Sequence, residues 1–97
     1  MAKLDPKILQ QLYKAILSLE TMEECAAFFD DICTIQEVLT IAQRLKTAEL
    51  LKKGANYQEI NRETGMSTTT ISRVRRSLDY GSGGDDMVIS RMEEKKE

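Results

Sequence analysis

The sequence predicts an all-α fold, on three observations. Helix-start residues recur along the chain: Asp5 before Pro6, Thr21 with Glu24, Thr34 with Glu37, Asn56 with Glu59, and Ser67. Between them, apolar residues repeat at spacings of three and four, the period of a helix face. Over no useful length do apolar and polar residues alternate, as a half-buried strand requires.

Each start signal supplies a side-chain oxygen for a backbone N–H that the first turn leaves unpaired. Asp5 followed by Pro6 predicts a helix to about Leu19, with Ile8, Leu9, Leu12, Tyr13, Ile16 and Leu17 on a broad apolar face. Thr21 and Glu24 form a capping-box pattern for a second helix to about Ile32, bearing Met22, Cys25, Ala26, Phe28, Phe29 and Ile32. Thr34 and Glu37 repeat it for a long third helix ending near Lys53, before Gly54. Asn56 and Glu59 open a short fourth helix that stops at Gly65, and Ser67 caps a fifth running to about Leu78. The glycines and serine of 80–84 read as a hinge, followed by a weak amphipathic stretch with Met87, Val88, Ile89 and Met92 and a terminus expected to fray. The domain reading is therefore 1–80, with 1–53 supplying three helices and 57–78 a helix-turn-helix, followed by 81–97 as hinge and C-terminal helix or frayed tail.

Ninety-seven residues make one modest domain. The first three helices carry more apolar surface than a small five-helix monomer easily buries, so either extra intramolecular packing or a second copy would use it. No apolar run approaches the roughly 20 residues of a membrane span, and the N-terminus lacks a secretion signal, so a cytoplasmic, non-membrane protein is expected. Cys25 and Cys33, eight apart on a helical stretch, lie about 12 Å from each other along the axis and are expected to be free thiols. There is no histidine. Without it, and with no glycine-rich phosphate loop or cysteine beside a base, neither an enzyme, a metal site nor a cofactor is expected.

The net charge of −2 hides an uneven distribution. From Arg44 to Ser77 eight basic residues face three acidic ones, while the segments on either side are acidic. One basic face on an acidic chain fits local contact with double-stranded DNA. In 57–78, Ile60, Thr64, Met66, Ile71 and Val74 fall where two helices crossing over a tight turn must touch, and Gly65 sits at the turn. Asn61 departs from the small residue usual at such a crossing. On the fifth helix Ser67, Thr68, Thr69, Ser72 and Arg73 are the candidates to reach base edges, and Arg75, Arg76, Lys52, Lys53 and Arg62 to contact phosphates. The competing readings are that the hydroxyls merely cap and the arginines form a solvated face, or that the same helices dock onto a protein.

The segment TIQEVLTIAQRLKTAELLKKGANYQEINRETGMSTTTISRVRRSL, Thr34 to Leu78, resembles the core of the bacterial Trp repressor, and the whole chain looks most like the shorter YerC/YecD-type members of that superfamily. The resemblance implies six helices in a Trp-repressor-like bundle, an intertwined homodimer built by the N-terminal helices, and a regulator of transcription that places one recognition helix per operator half-site. It also implies a small-molecule pocket at Thr34, Arg44, Thr70, Arg73, Val74 and Ser77. Where tryptophan-responsive members carry glycine beside the recognition-helix arginine, this chain has Val74, whose branched side chain would occupy the indole space. Tryptophan is accordingly not the expected ligand, and another small effector, or none, is left open. For Arg44 and Arg73 the alternative to a ligand is pairing with Glu37, Glu49 or phosphate.

Overall fold

In a computed structural model, which describes residues 5–95, the chain forms six helices: α1 (Pro6–Leu17), α2 (Met22–Ile32), α3 (Ile35–Lys52), α4 (Tyr57–Thr64), α5 (Thr68–Tyr80) and α6 (Gly84–Glu94). No strand occurs among the described residues. The chain divides within α3 into two compact units, one up to Val38 and one from Leu39.

In the first unit the caps form as their residue types dictate. The Asp5 carboxylate accepts from the Lys7 N–H at 2.9 Å, and the Thr21 hydroxyl from the Glu24 N–H at 3.0 Å. Thr34 and Glu37 bond reciprocally, backbone to side chain, at 2.8 and 3.1 Å. Helix α1 stops at Leu17, two residues short of the expected end, where the Ser18 hydroxyl donates to the Ala15 carbonyl at 2.6 Å. The Phe28 and Phe29 rings meet edge to face at 5.5 Å. Even so, α1 and α2 contain no buried residue. Ile8, Tyr13, Leu17, Met22, Ile32 and Ile35 all stand exposed, Ile35 to 89%.

The second unit holds the core. Ala48 and Leu51 of α3, Ile60 of α4, Met66 of the turn, Ile71 and Val74 of α5, and Ile89 of α6 form one buried cluster, fringed by Leu50, Ala55, Tyr57 and Leu78. At the start of α4 the Asn56 side chain accepts from the Glu59 N–H at 2.9 Å while the Glu59 carboxylate accepts from the Asn56 N–H at 3.0 Å. Asn56→Ala is expected to cost about 1 kcal/mol, a fall in melting temperature of roughly 4–8 °C by circular dichroism.

Helix α6 is more than the weak stretch its sequence predicts. Arg91–Glu94, expected to fray, continue the helix, because Ile89 is buried in the core and Lys52 reaches Asp86 at 2.7 Å and the Ser90 hydroxyl at 3.1 Å. Lys96 and Glu97, the end of the expected frayed tail, lie outside the described residues. Helix α5 also runs two residues beyond its expected end, to Tyr80, and closes with the Gly81 N–H on the Ser77 carbonyl.

Candidate nucleic-acid interface

The interface candidate begins at the turn between α4 and α5. Gly65 adopts φ 75°, in the left-handed region, and its N–H closes α4 on the Asn61 carbonyl at 2.8 Å. A residue with a Cβ is strained there by about 1–2 kcal/mol. The Thr64 hydroxyl donates to the Ile60 carbonyl at 2.7 Å and accepts from the Met66 N–H at 3.1 Å. From α3, the Gln43 amide donates to the Thr64 carbonyl at 2.8 Å. The Thr47 hydroxyl, fully buried, donates to the Gln43 carbonyl and lies 3.1 Å from the Met66 sulfur.

Asn61, the residue that departs from the usual small side chain, donates its amide to the Met66 carbonyl at 2.8 Å. It thereby satisfies a carbonyl that the tight turn removes from any helix. The bulk that a close crossing would exclude is used here as a strap.

Beyond the turn, α5 has two faces. Ile71 and Val74 are buried and Leu78 half-buried, a spacing of three and four that turns them inward. Thr68, Thr69, Ser72, Arg73 and Arg76 repeat at the complementary positions and are all exposed. Ser67 caps the helix, accepting from the Thr70 N–H at 3.3 Å with the two hydroxyls 3.1 Å apart. The outer face thus offers short hydroxyls near the helix N-terminus, where backbone N–H groups favour an anion, followed by two guanidiniums. Among the described residues Arg73 and Arg76 make no ion pair, and neither do Arg44 and Arg62.

The other expected phosphate contacts are placed differently. Arg75 lies on the flank of α5, 3.2 Å from Asp79. Lys52 turns toward α6, held by Asp86 and Ser90, and Lys53 lies 3.9 Å from Glu49. Exposed pairs of this kind are worth little, so a phosphate can displace them. Glu49 also bonds Lys46 at 2.9 Å and, by that hydrogen bond and its charge, holds the lysine ammonium above its ordinary range.

Of the positions that the family resemblance gave to a ligand, the structure brings Arg73 and Ser77 together. They line an open cleft of about 380 Å³ with Arg76, Tyr80 and Gly81. Val74 does not face that cleft. It is 5% exposed and packs in the core beneath α5, since the residue after an outward-facing one points elsewhere on a helix. Thr70 is half-buried against Ser67, Arg44 is exposed on α3, and Thr34, in the first unit, caps α3. Glu37 is committed to that cap, and neither Arg44 nor Arg73 pairs with Glu37 or Glu49.

Sequence reasoning missed Gln43 and Thr47 as supports of the turn. Their signal was faint: two uncharged polar residues four apart on the third helix, a spacing that puts them on one face, where a buried side chain needs a partner. It also missed Tyr80, 83% exposed at the end of the cleft.

This all-α chain, with two short helices meeting across a strapped glycine turn, has close counterparts among solved structures. A TrpR-like protein from Eubacterium eligens superposes with a TM-score of 0.88 at 44% identity, over 94% of each chain. A proposed Trp repressor from Staphylococcus aureus gives 0.87 at 45% identity, over 94% of this chain and 91% of that one. In sequence, the uncharacterized protein YerC of Bacillus subtilis is 51% identical over 92 residues, which span 95% of this chain and 88% of that protein. The family described as Trp repressor protein matches residues 7–93, and the chain belongs to it. No helix among the described residues is long and apolar enough to cross a membrane.

Proposed function

We propose that the protein is a homodimeric, sequence-specific DNA-binding regulator of transcription, of the repressor type and cytoplasmic, in which α4 and α5 act as a helix-turn-helix. The observation that carries this reading is the outer face of α5: Thr68, Thr69, Ser72, Arg73 and Arg76 exposed in one stripe, with two guanidiniums free of ion pairs among the described residues. Membership of the Trp repressor family supports it. In the major groove, Ser67, Thr68, Thr69, Ser72 and Arg73 would read base edges, and an arginine can bond guanine in bidentate fashion. Arg75, Arg76 and Arg62, with Lys52 and Lys53 once released from their acids, would bind phosphates, which supply affinity without sequence information. Anisotropy titration against genomic fragments tests the reading. Salt-sensitive binding that discriminates between fragments is the expected result, and equal, weak binding to all of them would count against it.

The apolar surface of the first unit supports the dimer. Helices α1 and α2 contain no fully buried residue, and large apolar side chains at Leu17, Met22 and Ile35 stand more than four-fifths exposed, as a surface awaiting a partner does. In sedimentation the protein is expected to run at twice its chain mass, and Leu17→Lys with Ile35→Lys to run as a monomer. A single-chain mass for the unmodified protein would refute the dimer.

Tryptophan is not the proposed signal. Val74 fills space under α5, and no part of the proposal needs a cofactor.

A further inference from the structure

The inner side of α5 is filled. Ile71 is fully buried, Val74 5% exposed, and both share one cluster with Ile60 of α4, Met66 of the turn, and Ala48 and Leu51 of α3. Ile89 of α6, 2% exposed, completes that cluster. At its N-terminal end α5 follows a turn strapped by Gln43 on the Thr64 carbonyl and Asn61 on the Met66 carbonyl. Hydrogen bonds therefore fix where α5 begins, and packed side chains fix its rotation along its length. Close-packed elements of this kind hold discrete arrangements and do not deform continuously. One open space beside α5, the cleft lined by Arg73, Arg76, Ser77, Tyr80 and Gly81, lies on its outer side. An occupant there would add to the exposed face without completing the packing beneath.

On the reading of α5 as the DNA-reading helix, we propose that Val74 and Ile89 form a built-in lock that holds α5 in its reading position, so that DNA binding needs no small-molecule effector. A ligand shifts a conformational equilibrium only through its different affinity for the two states. Where the core already makes the reading state dominant, a ligand has little left to shift.

The test uses the full-length protein in two preparations, one purified natively and one refolded from denaturant after exhaustive dialysis. Each is titrated with a captured genomic fragment and with a scrambled fragment, alone, with L-tryptophan, and with the small-molecule filtrate of a cell lysate. Equal affinity of both preparations, changed less than about twofold by either addition, is expected, since a ligand without differential affinity shifts nothing. Loss of binding on refolding that L-tryptophan or the filtrate restores would overturn the lock. If the native preparation fails to prefer any fragment, the DNA-reading proposal fails and takes the lock with it.

Val74→Gly and Ile89→Ala are expected to weaken binding to the captured fragment by about tenfold, if reading-competent α5 falls to about one-tenth of the population. Their salt-dependent binding to scrambled DNA should persist, because the exposed arginines remain. Val74→Ala, milder in its effect on folding, should fall between. Melting curves show at which temperature each variant is folded. A folded Val74→Ala and a folded Val74→Gly that both keep the full preference of the unmodified protein would refute the lock.

Discussion

Ile71→Ala is expected to destabilise the protein by about 2–5 kcal/mol, the range for truncating a fully buried isoleucine. Ile71 is 0% exposed and sits where α3, α4, the turn and α6 all contribute to one cluster, so the removed methyl groups leave a cavity with walls on every side. Little can collapse into it, since the turn beside it is strapped by Gln43 and Asn61. For a chain of this size the loss corresponds to a fall in melting temperature on the order of 15 °C. Thr69→Ala, two residues away on the exposed face, should change stability by less than about 0.5 kcal/mol. Thermal denaturation by circular dichroism checks both. Equal effects for the two substitutions would mean that the inner and outer faces of α5 are misassigned.

Replacing Arg73 and Arg76 together by alanine is expected to reverse that pattern, with little effect on folding and a large one on DNA. Both side chains are exposed, and neither makes an ion pair among the described residues, so no ion pair is lost. If Arg76 contacts phosphate, its loss lowers the slope of log affinity against log salt by about 0.9. If Arg73 reads a guanine, its loss costs about 1–3 kcal/mol and relaxes the preference at that base pair. Together they should weaken binding to the preferred fragment by roughly a hundredfold at moderate salt. Fluorescence anisotropy over a salt series measures both effects. Unchanged affinity and slope would remove α5 from the DNA.

Much of the fold was legible because it is local. Asp5, Thr21, Asn56 and Ser67 each accept from an N–H within three residues, and Gly65 takes the left-handed conformation its place in the sequence predicts. A cap needs only its own neighbours, so short-range pattern suffices to find it. The ends of α1 and α5 were less legible. Helix α1 closes where the Ser18 hydroxyl bonds the Ala15 carbonyl, and α5 runs on to Tyr80 before its glycine cap at Gly81.

Helix α6 was under-read for a different reason. Its own pattern is weak, and what secures it is Ile89 in a core supplied by α3, α4 and α5, together with Asp86 and Ser90 reaching Lys52. None of this is visible from residues 84–94 alone. The stripe on α5 was legible from spacing, whereas the pairing of Lys52 and Arg75 with acids was not, because a charge in a sequence does not show which neighbour it meets. Asn61 departs from the turn pattern in sequence because its use, an amide bonded to the Met66 carbonyl, depends on the folded turn. The apolar excess of the first three helices was plain in the sequence and is matched by their exposure here.

Genome-wide capture of DNA on the unmodified protein shows whether α5 is the reading surface of a DNA-binding regulator. A small set of fragments sharing a two-fold-related sequence is expected, lost when Arg73 and Arg76 are both replaced by alanine. Enrichment of no DNA, with one protein recovered in stoichiometric amount on the same helices, would contradict it.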